Sequence, residues 1–142
     1  MDTSELINRL KEHEGFRPYA YNDSLGFITV GYGRCIDRRK CKGLTQPEAL
    51  YLLHNDIAEC AKSLEVFDWY EIQDNVRKCA IIELVFNLGL AGFLGFKETI
   101  ACLADKDYML AAKNLLASKW AQQVGVHRSS DIAFRIEHGA YQ

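Results

Sequence analysis

The stretch from Cys79 to Leu88 is apolar nearly all round, interrupted only by Glu83 and Asn87. A helix with no continuous polar face has to be wrapped by other elements, so this chain must build a layer of helices around one central, buried helix. Asp74 supplies a capping residue for its start. Gly89, Gly92 and Gly95 then punctuate a loop or short helix, and apolar periodicity predicts further helices over 96–104, 107–118 and 126–137. Asp105-Lys106 and Gly125 separate these three. At 142 residues the chain can bury enough apolar surface to fold without staples. Two prolines and ten glycines exclude a long disordered tail. No apolar run reaches the roughly 18 residues of a membrane span. The start, Met1-Asp2-Thr3-Ser4-Glu5, lacks the basic and apolar regions of a signal peptide.

The first third reads differently. Asp2 or Thr3 can cap a helix, with Glu5 as the capping-box partner of Asp2; Leu6, Ile7 and Leu10 form its stripe and Gly15 ends it. That leaves Glu14 at the negative end of the helix dipole, the wrong end for a carboxylate's stability. A broken local rule of this kind points toward function. Phe16, Tyr19 and Tyr21, then Phe27 to Tyr32, have strand character, and Asn22-Asp23-Ser24-Leu25-Gly26 between them is rich in turn formers. The expectation is a small antiparallel sheet whose turn carries Asp23. Thr45-Gln46-Pro47-Glu48 is a second capping box, opening a helix to about Lys62 with Ala49, Leu50, Leu53, Ile57 and Cys60 on one stripe.

A net charge of −2 argues against a nucleic-acid partner, which needs a cationic surplus. Arg34, Arg38, Arg39, Lys40 and Lys42 cluster within one loop, which reads first as solvated surface and second as an anion-facing rim. The cysteines are Cys35, Cys41, Cys60, Cys79 and Cys102, an odd count. With no signal peptide, this predicts free thiols unnecessary for activity, although Cys35 and Cys41 can bridge a short loop. Cys60, Cys79 and Cys102 read as core fillers. His13, His54, His127 and His138 are scattered without ligand spacing, so no metal or other cofactor is expected. Trp69 and Trp120 read as packing residues, and Arg128 as a surface cation.

Chemistry concentrates between His13 and Gly33. A Glu at a helix end, an Asp in a hairpin turn and a Thr on the returning strand can face one cleft. Two carboxylates flanking a bond are what glycoside hydrolysis requires. Spacing alone is weak, since surface charges around a turn give the same pattern. The full motif is more specific: Glu14-Gly15, then Asn22-Asp23, Gly26, Thr29 and Gly31-Tyr32-Gly33. It resembles the phage-type (T4-like) lysozymes, which are muramidases. The likeness continues through Thr45 to Lys62, Arg77 to Gly89 with Val85-Phe86-Asn87, Phe96 to Thr99, Ala111 to Leu115 and Ser118-Lys119-Trp120.

The resemblance implies an α+β lysozyme-like fold: one catalytic domain over 1–142, with an N-terminal lobe of about 1–55, an inter-lobe helix of about 46–62 and a helical lobe of about 63–142. It implies Glu14 as general acid, Asp23 as the carboxylate assisting the attacking water and Thr29 as the hydroxyl positioning that water. It implies Phe86, Thr99 and Asn114 as residues lining a saccharide cleft, although helical spacing alone reads Phe86 as core. Arg34 stands where relatives often carry His, Asn87 where a longer Gln is common and Cys35 at a usually apolar position. The implied reaction is inverting hydrolysis of the β-1,4 bond between N-acetylmuramic acid and N-acetylglucosamine, with burial keeping Glu14 neutral. The implied partner is the glycan strand of bacterial peptidoglycan, met by a monomer with no nucleic acid and no stable membrane anchor. An endolysin of this kind waits in the host cytoplasm and needs a holin to reach the periplasmic wall; a non-catalytic wall-binding module or a virion-borne lysozyme are the alternatives. Finally, an ion pair between Arg34 and Asp56 is expected if the sheet folds back on the second helix.

Overall fold

The computed structural model describes residues 3–142. It is mostly helical with one small antiparallel sheet, an α+β lysozyme-like arrangement. The chain divides into two compact units, Met1–Leu52 and Leu53–Gln142.

The first unit opens with α1 (Ser4–Glu14), ended by Gly15, whose N–H returns to the Lys11 carbonyl at 3.0 Å. Thr3 is its N-cap but makes no side-chain capping bond, and Asp2 lies outside the described residues. Strands β1 (Arg17–Asn22), β2 (Ile28–Gly31) and β3 (Arg34–Cys35) pair in sequence order, each antiparallel to the next. In that register Tyr21 faces Thr29, and Thr29 faces Cys35. The loop after β3 is closed by a Cys35–Cys41 disulfide across Cα atoms 6.1 Å apart. This corrects the expectation of five free thiols: the chain turns back after β3 and brings the two sulfurs together, a tertiary fact that an odd cysteine count does not contain. Helix α2 (Gln46–Leu64) begins in this unit. Its capping box forms as read, with Glu48 accepting from the Thr45 N–H at 2.7 Å and the Glu48 N–H reaching the Thr45 hydroxyl at 3.4 Å.

Arg34 also needs correcting. Its two terminal nitrogens each donate at 2.7 Å to Glu48, and one also reaches the Gly43 carbonyl at 3.1 Å. The guanidinium fork therefore takes the carboxylate of the capping box rather than Asp56, because Glu48 sits in the first turn of α2 beside the loop that follows β3. The Glu48 carboxyl is held below its ordinary range, first by the Thr45 N–H and hydroxyl, then by Arg34.

The second unit holds the apolar core. It contains the end of α2, α3 (Asp68–Glu71), α4 (Asn75–Leu88), α5 (Leu90–Leu94), α6 (Lys97–Ala104), α7 (Tyr108–Leu116), α8 (Lys119–Val124) and α9 (Val126–His138). Leu64, Ala80, Ile81, Leu84, Phe93, Leu103, Ala111, Leu115 and Ile132 are fully buried there. Asp74 caps α4 by accepting from the Arg77 N–H at 3.0 Å. Arg77 in turn donates to the Ile136 and Glu137 carbonyls, tying the start of α4 to the end of α9. The Trp120 indole, buried as a packing residue, donates to Asn87 at 2.8 Å. Helix α4 is central, though buried on one side only: Ala80, Ile81, Leu84 and Val85 are interior, while Phe86 is 44% exposed. Among the described residues no helix is long and apolar enough to cross a membrane.

Candidate active site

Glu14, Asp23 and Thr29 all belong to the first unit. Asp23 follows β1 at the head of the hairpin turn. Its Oδ1 accepts from the Leu25 and Phe27 N–H groups, both at 2.9 Å, while its own N–H donates to the Phe27 carbonyl at 2.9 Å. The turn residues do what their chemistry predicts: a short carboxylate side chain satisfies the amides its own turn leaves open. With Oδ1 taking two donors, Oδ2 accepts no hydrogen bond among the described residues.

Thr29 lies in β2, 4% exposed, and its hydroxyl donates to the same Phe27 carbonyl at 3.1 Å. Phe27 therefore joins the two groups: its N–H goes to Asp23 and its carbonyl takes the Thr29 proton. Because that proton is committed, the Thr29 oxygen faces any further partner as an acceptor.

Glu14 closes α1 and is exposed, which corrects the expectation of a buried acid. Its carboxylate is seated against a gap in the backbone. Gly31 and Gly33 both have positive φ, +68° and +73°. A Cβ on Gly31 meets nothing within 4 Å, but one on Gly33 lands 2.5 Å from Glu14 Oε2 and 2.9 Å from its Cδ. Gly33 is required twice, for its backbone conformation and for the space the carboxylate uses.

Two residues of the adjoining loop were not legible as part of this site. Asp37 is 2% exposed; its carboxylate accepts from the Ile28 N–H at 2.9 Å and from three donors of Arg39, the main-chain N–H and Nε at 2.9 Å and Nη2 at 2.7 Å. The Arg39 fork, then the Ile28 and Arg39 amides, hold the Asp37 carboxyl far below the carboxylate range, overcoming burial. Asp37 is followed by two arginines between paired cysteines, which in sequence reads as solvated charge.

In the second unit, Thr99 (3% exposed) and Asn114 line one cavity of about 300 Å³ with Gly95, Phe96, Lys97 and Glu98. Asn114 also donates to Cys102 Sγ at 3.8 Å. Phe86 does not share that cavity. It lines a cavity of about 390 Å³ with Leu53, Ile57, Ile82 and Glu83, and another of about 410 Å³ with Asp56, Glu59 and Val85. Its exposure overturns the core reading, which helical spacing suggested because an apolar residue near a buried face looks buried. Arg128, read as a surface cation, is 38% exposed and pairs with Glu83 at 3.3 Å, while Arg135 joins Glu83 at 2.6 Å and Asp131 at 2.7 Å.

The phage lysozyme family model matches residues 11–132, most of the chain. The protein belongs to the phage lysozyme family. Membership supports lysozyme function, a glycosidase activity whose substrate is peptidoglycan. Among its relatives, a protein described as probable T4-type lysozyme 1 of Dictyostelium discoideum is 29% identical, over 96% of this chain and 95% of its own. The endolysin of Salmonella phage P22 is 30% identical over 84% of each chain. An endolysin of Acyrthosiphon pisum secondary endosymbiont phage 1 is 33% identical over 59% of this chain and 57% of its own.

Proposed function

We propose that this lysozyme hydrolyses the β-1,4 bond between N-acetylmuramic acid and N-acetylglucosamine with inversion, as a single catalytic domain over 1–142. The observation that carries this reading is the bonding of the Asp23 and Thr29 side chains to the backbone of one residue, Phe27. It leaves Asp23 Oδ2 and the Thr29 oxygen as acceptors. A water donating one proton to each has its lone pair free for the anomeric carbon. Thr29 is almost buried, so its hydroxyl meets only a partner as small as water. Glu14 is the proton donor to the leaving oxygen. Since it is exposed, the dry surroundings a donor needs come with the bound glycan. Phe86, Thr99 and Asn114 are the saccharide-binding residues of the reading. The endolysin relatives support a role in host lysis; in this reading the protein reaches the wall from the cytoplasm with a holin's help.

Turbidity loss of a cell-wall suspension tests the activity. Glu14→Gln keeps the shape without the proton and is expected to lose about a thousandfold or more in turnover; activity within tenfold of the parent overturns the assignment. Proton NMR of the first-formed product tests the stereochemistry, because inversion gives the α-anomer first. A β-anomer first means a nucleophilic Asp23, with carboxyl groups about 5–5.5 Å apart rather than roughly 6.5–9.5 Å.

A further inference from the structure

We propose that Asp37 and Arg39 are positioning residues for the hydrolytic reaction, clamping the Asp23 turn and the Thr29 strand in their working geometry. This rests on the assignment of Asp23 and Thr29 above.

The clamp has two ends. Arg39 Nη2 donates to the Gly26 carbonyl at 2.8 Å and to Asp37 at 2.7 Å. The Gly26 N–H donates to the Asp23 carbonyl at 3.0 Å, so the peptides flanking Gly26 are held by Asp23 on one side and Arg39 on the other. At the other end, Asp37 accepts the Ile28 N–H at 2.9 Å, one residue before Thr29. The Arg39 guanidinium also lies 5.3 Å from the centroid of the Phe27 ring, and Phe27 is the residue whose backbone joins Asp23 to Thr29. The loop that bears the pair is itself fixed. The Cys35–Cys41 disulfide closes it, the Asp37 carbonyl accepts from Lys40 and Cys41, and Cys35 stands directly across the sheet from Thr29.

The Arg39 side chain is 67% exposed, and no apolar side chain in the described part of this unit is buried. The Arg39 side chain reaches the buried Asp37, the Gly26 carbonyl of the turn and the ring of Phe27. Losing a fork that is shared between two acceptors lets the turn drift, and misplacement by about 1 Å can cost roughly a hundredfold in rate.

The experiment compares Arg39→Ala, Arg39→Lys and a control, Arg38→Ala, in the full chain on a soluble wall oligosaccharide. Arg39→Ala is expected to lower kcat by about tenfold to a hundredfold with KM within about twofold. Its thermal midpoint should fall, because the buried Asp37 carboxylate loses its partner, so turnover is compared at a temperature where every variant is folded. Arg39→Lys keeps the charge and loses the fork, so it should fall between the two. Added methylguanidinium should restore part of the Arg39→Ala turnover, which a purely structural role does not predict. Hydrogen exchange should quicken at the Phe27 and Ile28 amides specifically. Parent-like kcat in Arg39→Ala, a fall shared by Arg38→Ala, or loss of activity only through global unfolding would each overturn the proposal. An inactive parent would overturn the hydrolytic reading itself, a separate result.

Discussion

The two units are held together by different physics. From Leu53 onward, stability rests on apolar side chains with no exposure at all, contributed by several helices. In the described residues up to Leu52, the only buried side chains are the polar Thr29 and Asp37. That unit depends on a three-stranded sheet, a disulfide, the Arg39–Asp37 and Arg34–Glu48 pairs and a set of turn hydrogen bonds. Hydrophobic burial is non-directional, whereas hydrogen bonds and covalent links fix geometry. The three residues assigned to the chemistry all lie in the unit built from directional contacts. A catalytic group must be placed to a fraction of an ångström, and that is what such contacts supply.

Truncating one apolar residue in each unit probes this contrast most sharply. Phe93→Ala removes a fully buried ring and should destabilise the second unit by about 3–5 kcal/mol. Leu10→Ala, at a side chain already 47% exposed, should change stability by no more than about 0.5 kcal/mol. Denaturant titration of both variants checks the pair. Equal losses would mean that the first unit has an apolar core of its own.

The reverse asymmetry is expected on reduction. Opening the Cys35–Cys41 loop, with a sequence separation of 6, should destabilise the first unit by about 2 kcal/mol through loop entropy and leave the second almost unmoved. Thiol titration of the denatured, unreduced protein should find Cys60, Cys79 and Cys102 free and no others. Five free thiols would restore the expectation drawn from cysteine parity.

Gly31 and Gly33 separate backbone strain from displacement of Glu14. Each glycine has positive φ, so either alanine variant should lose about 1 kcal/mol of stability or somewhat more. Only the Gly33 methyl strikes the Glu14 carboxylate. Gly33→Ala should therefore lower turnover about tenfold beyond Gly31→Ala at matched stability. Identical kinetics would mean that the gap at Gly33 does not position the acid.

What could be read in advance divides along the same line. Helices α4, α6, α7 and α9 were legible because their signal is an apolar pattern sustained over several turns, with Asp74, Gly89 and Gly125 marking ends, whereas α3 and α8, at 4 and 6 residues, are too short to show a period. The Thr45–Glu48 box was legible because its partners lie within one turn. The partner of Arg34 was not, since the choice between Glu48 and Asp56 depends on where the loop after β3 runs. The Cys35–Cys41 pairing failed for a related reason: parity and compartment say nothing about which sulfurs meet. Asp37 was lost among basic neighbours because a buried carboxylate and a solvated one look alike in sequence. Phe86 shows the converse limit, since periodicity identifies an apolar face without saying how far it is covered.

The smallest expected effect concerns acid. Asp37 and Glu48 in the first unit have depressed pKa values, held by Arg39 and by the Thr45 cap respectively. In the second, burial tends to raise the pKa of Asp74, but the Arg77 amide and guanidinium outweigh it and leave it lowered. A carboxyl depressed in the folded state adds stability above its unfolded value, about 4, and loses it as pH falls toward the folded value. Below about pH 4 the unfolded chain takes up those protons first, so both units weaken in the same direction. They should not weaken equally. The second unit loses one helix cap, about 1 kcal/mol, against an intact apolar core. The first approaches loss of the carboxylates on which its loop and its α2 cap depend, with no buried apolar side chain among its described residues to compensate. Residue-resolved hydrogen exchange at about pH 5 and about pH 2.5, corrected for intrinsic rates, should show protection falling first around Ile28 and Thr45. Protection lost first around Arg77 would reverse the ranking and place the acid-labile contacts in the helical unit.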